Sequence, residues 1–165
     1  MTTIEAQRRL SIALRQVDRE LGYRAVCLVG TGKPVPRERV KPDPRDNDPI
    51  EWVEPIRVVV TDDPKMAPAP YNKGAHSYTY KVLAYLWVPS DAHASRLKKH
   101  LDEMLFGQKG KDMVHGWKDC AWWIAELLLG QAVQETGIEA FDEAERQRRR
   151  EAALRKKRNS FRVKI

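Results

Sequence analysis

Cysteine is scarce: two residues in 165, Cys27 and Cys120. They lie far apart, form no CxxC and each sits inside an apolar run, so both read as buried thiols, and a chain this long needs no disulfide framework. No stretch approaches the uninterrupted apolar length that a membrane span needs, and residues 1–9 lack the apolar core of a secretory signal. The chain is therefore expected to be cytoplasmic and to have no membrane partner. Catalytic signatures are equally thin. There is no HExxH, no Cys/His cluster and no GxSxG. The four histidines are His76, His93, His100 and His115; His93 and His100 fall two turns apart on one helical face, yet isolated solvated side chains account for them. Gly30-Thr31-Gly32-Lys33 follows a predicted strand but lacks the length and terminal Lys-Ser/Thr of a phosphate loop. Pro34 stands where a helix would begin, so the segment reads as a hairpin turn. No cofactor and no metal site are expected.

What is abundant is charge, unevenly placed. Residues 143–165 hold ten basic and three acidic residues, a net of +7 that equals the net charge of the whole chain. Residues 1–142 balance, so the basic character belongs to the tail. It is densest at Arg148, Arg149, Arg150, Arg155, Lys156, Lys157 and Arg158, which are the candidate nucleic-acid-binding residues. Guanidinium groups pair phosphate oxygens two at a time. Between residues 143 and 158 Leu154 is the one sizeable apolar side chain. Arg, Glu, Gln, Ala and Lys favour helix, but a helix without an apolar face is expected to project and to bury almost nothing, with Phe141 pinning its start. A solvated, purely solubilising tail is the plain alternative.

The body alternates short apolar runs with amphipathic segments. Residues 4–21 carry Leu10, Leu14, Val17 and Leu21 at helical spacing, with Ala13 widening the stripe, and Gly22 ends the pattern. Residues 23–30 and 56–61 read as strands, and Tyr78–Val88 as a third. Six prolines make 31–55 a long surface loop, and Pro64, Pro68, Pro70 and Gly74 preclude a regular helix over 64–77. A helix capped by Ser90 or Asp91 places Ala94, Leu97, Leu101, Met104 and Leu105 on one face. Gln108–Met113 reads as a polar loop. A second, greasier helix runs from Trp117 to about Gly137, apolar nearly all round, which means burial on several sides or a protein partner. Trp117, Trp122 and Trp123 could stack bases, though core packing is the commoner use of such a spacing. Leu97, Leu101, Ile124 and Leu128 are predicted to be buried. The expected fold is α+β: a small three-stranded, mostly antiparallel sheet packed by helices, with an N-terminal amphipathic helix and a basic C-terminal helix or arm. Residues 1–140 form one globular domain, including the proline-rich loop 31–55, and 141–165 the arm.

This element order resembles the GIY-YIG endonuclease fold, in particular its short phage-associated members, over roughly residues 23–130. The matching segments are Tyr23–Gly30, Ile56–Asp62 and Tyr80–Val88 as strands, then Asp91–Leu101 and Gly116-Trp117. The catalytic parts depart from the family pattern. Lys98 occupies the position of the metal-binding glutamate, the arginine helix is replaced by Pro64–Pro70, and the second-strand glycine position falls among valines. An ammonium group repels a divalent cation instead of ligating it. The resemblance thus implies a catalytically inactive nucleic-acid-binding or regulatory protein, of phage or mobile-element type, with nucleic acid or another acidic macromolecule as partner. The alternatives are a protein-interaction or virion-assembly module, with a partner on the Trp-rich helix, and an active metal-dependent nuclease with displaced residues.

Overall fold

The computed structural model describes residues 2–39, 47–73, 79–106 and 116–163, with side chains to Asn159. The predicted polar loop Gln108–Met113, His76 and His115 lie outside the described residues. Among the described residues four α-helices and five strands follow in the order α1 (Thr3–Leu21), β1 (Arg24–Gly30), β2 (Val35–Glu38), β3 (Ile50–Thr61), β4 (Lys81–Val88), α2 (Asp91–Phe106), β5 (Trp117–Cys120), α3 (Trp122–Thr136) and α4 (Glu143–Val163). Two short 3-10 turns at Pro64–Met66 and Ala69–Tyr71 fill the segment where proline forbids a longer helix.

The chain is mixed α+β, as expected, but the sheet has five strands and not three. β1 is central: it pairs antiparallel with β3 (Cys27↔Val59) and with β4 (Cys27↔Tyr85). Its six residues Ala25–Gly30 are all buried, which explains why the segment reads as an unbroken apolar run without alternation. β3 is twice the predicted length. Arg57 pairs Val29 of β1 and Trp117 of β5, so these two strands flank it. Beyond that, Val53 and Trp52 pair Val35 and Pro36 of β2.

Both missed strands have a physical explanation. β2 lies inside the proline-rich stretch read as a loop; an edge strand tolerates Pro36 because the missing N–H is not needed by a second neighbour. β5 is the first four residues of what reads as one long helix from Trp117. Ala121 stands extended between strand and helix, so the helix begins at Trp122.

The sheet buries a cluster on each face. On one, α2 and α3 cover Val26, Leu28, Ile56 and Val58 with Leu97, Leu101, Leu105, Ala125 and Leu129. Ser90 starts α2: its hydroxyl accepts the His93 N–H at 3.3 Å. Leu97 and Leu101 are fully buried as predicted, Leu128 is only half-buried, and Ile124 is exposed, contrary to expectation. The stripe on α1 is also shorter than its spacing implies. Val17 is buried and Leu14 and Leu21 partly so, but Leu10 is exposed because nothing described lies beyond the last turns of the helix.

The second face is aromatic: Ala25, Cys27, Val29, Trp87 and Phe141 are buried there, with Tyr23, Tyr71, Tyr80, Tyr85 and Trp117 packed around them. α4 starts over this face. No described helix is long and apolar enough to cross a membrane.

Candidate nucleic-acid interface

α4 is nailed to the sheet at its first turn. Trp87 and Phe141 exchange two backbone hydrogen bonds, 2.8 and 2.9 Å, outside the strand ladder. Phe141 is buried with its ring edge-on to Tyr23 at 4.9 Å. Asp142 then accepts the Glu145 N–H through Oδ1 at 2.8 Å and caps the helix. Glu143 and Glu145 in the first turn oppose the positive end of the helix dipole.

Glu143 does more than complement a dipole. Its Oε2 accepts the Trp87 indole N–H at 2.5 Å and the Tyr85 hydroxyl at 3.2 Å, and its Oε1 accepts Gln147 Nε2 at 2.8 Å. Burial pushes this carboxyl up, but the hydrogen bonds from Trp87, Gln147 and Tyr85 and the charge of Arg146 outweigh it and hold the group below its usual range. The Arg146 guanidinium lies 4.4 Å over the Trp87 ring and that of Arg149 4.0 Å over Phe141, so cations close the aromatic face from outside.

Further along, α4 is held by α1. Arg150 grips Asp18 with both prongs, Nε to Oδ1 and Nη2 to Oδ2, each at 2.8 Å. Lys157 meets Glu20 at 2.6 Å, and Arg146 lies 3.6 Å from Asp18. The expectation of a projecting helix is therefore corrected for its inner side: without an apolar stripe, α4 docks through charge. Leu154 and Ala153 on the same side are half-buried. Replacing Asp18 with alanine is expected to lose about 1–2 kcal/mol, above an exposed ion pair because the fork is bidentate and partly shielded. The loss should appear in thermal unfolding and shrink in high salt.

This docking sorts the seven predicted contact residues. Arg149, Arg150 and Lys157 are turned inward or sideways; Arg149 pairs Glu139 at 2.5 Å and Glu145 at 3.2 Å. Hydrogen bonding to Glu139 and Tyr23 raises its already high pKa further. Arg148, Arg155, Lys156 and Arg158 face outward. At about 100° per residue, Arg148 and Arg155 share a line opposite Arg150 and Lys157, with Lys156 and Arg158 roughly 80° to either side. The side chains of Arg148 and Arg155 are 67% and 76% exposed. Arg148 shares Glu145 at 2.7 Å, and Arg155 lies 3.7 Å from Glu151. Among the described residues, Lys156 and Arg158 make no ion pair. Charges that composition spreads around the axis thus become one outward stripe, because α1 neutralises the other side.

Sequence reasoning missed Asp18, Glu20, Glu143 and Arg146, the groups that decide this sorting. The nearest signal is the pair Glu143 and Glu145 opening an otherwise cationic helix. Beneath α4, an open cleft of about 730 Å³ separates α1 from β4. Its walls carry Arg15, Arg19 and Lys65 but also Asp62 and Asp63, so it is not a simple anion trough.

The other candidates resolve without a site. Gly30 ends β1 and Thr31–Lys33 lead on to β2, which pairs β3 and not β1, so the expected hairpin turn is not formed; the Gly32 N–H is donated to Oε1 of buried Glu54 at 2.7 Å. Burial pushes the Glu54 carboxyl up. The Cys27 and Cys120 thiols are both buried and pushed up to about 12 by that burial, which leaves them inert. His93 Nδ1 meets the Ser90 hydroxyl at 2.6 Å, and His100 Nε2 meets Glu135 at 2.6 Å. Among the described residues no group of His, Cys, Asp and Glu could hold a metal ion. Lys98 pairs Asp102 at 2.5 Å. Trp117 packs against Tyr71 and Tyr80 on the aromatic face, whereas Trp122 and Trp123 remain exposed.

No family model matches this chain, and no curated protein or solved structure matches it.

Proposed function

We propose that this protein binds nucleic acid through the outward stripe of α4, gripping the phosphate backbone without reading base sequence and without cutting it. The observation that carries this reading is the sorting of cations on α4. Arg150 and Lys157 are spent on Asp18 and Glu20, while Arg148, Arg155, Lys156 and Arg158 stay on the solvent side of a helix fixed to the body. A held helix presents its charges with less ordering cost than a loose tail, and arginine and lysine at these spacings suit phosphate contacts more than base edges. The GIY-YIG-like reading of the body belongs to the same proposal, as a scaffold whose glutamate position is filled by Lys98 in an ion pair with Asp102.

The test is a salt titration of binding to duplex DNA. Changing Arg148, Arg155, Lys156 and Arg158 together to alanine is expected to weaken binding and to flatten the log–log salt slope by about 0.9 for each phosphate that the protein no longer neutralises. The thermal unfolding midpoint should not fall, since these side chains are exposed. Unchanged affinity and slope would remove α4 as the binding element. A magnesium-dependent cleavage assay on plasmid and single-stranded DNA addresses the rest: chelator-sensitive cutting would overturn the non-catalytic part.

A further inference from the structure

α3 is apolar on sides where water is expected. Ala125, Leu129 and Ala132 already seat it on the sheet, yet Leu127 is 73% exposed and Trp122, Trp123 and Ile124 are between 36% and 40% exposed. The two indoles lie against each other edge to face, centroids 5.5 Å apart. Leu127 follows Trp123 by one helical turn.

The patch continues onto the sheet. β5 pairs β3 with Cys120 opposite Glu54. Past that pair the chain leaves the sheet at Ala121 and enters α3, so α3 begins beyond Glu54, toward the Ile50 end of β3. Ile56 and Val58 belong to the cluster beneath α2 and α3, and strand alternation carries Trp52 and Ile50 to that same side. Both are nearly half exposed, at 49% and 47%. Single exposed apolar residues are ordinary, but six large ones, three of them tryptophan, on one helix and the adjoining half of one strand are not.

We propose that this face is where two copies of the chain meet in a two-fold dimer. Size and charge argue for a second copy. With tryptophan contributing ~250 Å² and leucine or isoleucine somewhat less when fully exposed, the uncovered parts amount to on the order of 600 Å². Doubled across a two-fold axis, that reaches the ~1,200 Å² at which specific interfaces begin. Each chain carries a net charge of +7, all of it in residues 143–165. α4 docks on the opposite, aromatic face of the sheet, through Trp87 and Tyr85. Joining through α3 and β3 therefore keeps the two basic helices apart, and the patch itself contributes no cation to repel its copy. The dimer would present two outward cationic stripes, whatever they bind.

The experiment is the mass of the full chain in solution, by light scattering during size exclusion and by sedimentation velocity at micromolar concentrations. Wild-type protein is expected at twice the chain mass, and to remain so in high salt because the contact is apolar. Leu127→Glu and Trp52→Glu are each expected to halve the mass while leaving the circular dichroism spectrum unchanged. They lie on different elements, so a folding failure in one leaves the other to decide. A monomeric wild-type protein, or a dimer that survives both substitutions in folded form, overturns the inference, whatever other protein this face then binds.

Discussion

Replacing Trp87 with alanine is expected to destabilise the protein by about 3–5 kcal/mol, the cost of removing a fully packed large aromatic side chain. Trp87 is 1% exposed. Its indole N–H is a donor to Glu143, its ring lies under Arg146, and its backbone pairs Phe141. Trp87→Phe keeps most of the ring but loses the donor to a charged acceptor, so a smaller loss of about 1–3 kcal/mol is expected. Urea unfolding measures both, and equal losses would show that the hydrogen bond to Glu143, and not the packing of the ring, carries the effect.

The same residue carries a pH dependence. Glu143 titrates below its unfolded-state value, so its contribution is complete at neutral pH and fades as pH falls through the acid range. The stability gap between wild type and Trp87→Ala should therefore narrow on acidification. Truncation after Ala140 follows the same logic. An arm that buries almost nothing could be cut away freely, but this cut removes buried Phe141 and uncovers Trp87. The truncated chain is expected to unfold at lower temperature than the full chain.

Leu101→Ala is expected to cost about 2–5 kcal/mol. Leu101 has no exposed surface and sits in α2 among Val26, Leu28, Ile56 and Leu97, with sheet on one side and α3 beside it. The spread reflects how far the site can collapse around the missing atoms. Leu128→Ala on α3 should cost less, since that side chain is already partly in water and loses less transfer energy. Thermal and urea unfolding of the two variants would rank them. A larger loss at Leu128 would mean that α3 buries that flank, against another element or a second chain.

Parts of this architecture were legible because they rest on local rules. A valine- and leucine-rich run bounded by Gly30 is a buried strand wherever the rest of the chain goes. Ser90 ahead of an i, i+3, i+4 apolar pattern starts a helix, and that pattern identified Leu97 and Leu101 as core. The same rules failed where a neighbour decides. Pro36 speaks against a strand until an edge position makes its missing N–H harmless. Leu10 completes a helical stripe, but α1 meets nothing described at that level. Ile124 falls on an apolar helix and is left outside because Ala125, Leu129 and Ala132 form the seat instead.

The amount and location of charge belong to the sequence alone: +7 in the last 23 residues and balance elsewhere. The helical preference of Glu143–Val163 follows from the backbone tendencies of arginine, glutamate, alanine and lysine. Which of the cations face water does not follow from them. Arg150 reaches Asp18 across 132 positions and Lys157 reaches Glu20 across 137. Such pairings exist only once β4 and Phe141 have fixed where α4 begins and β1 has placed the end of α1. A guanidinium is equally basic on either side of a helix; the fold decides whether a carboxylate of the same chain or an external phosphate becomes its partner.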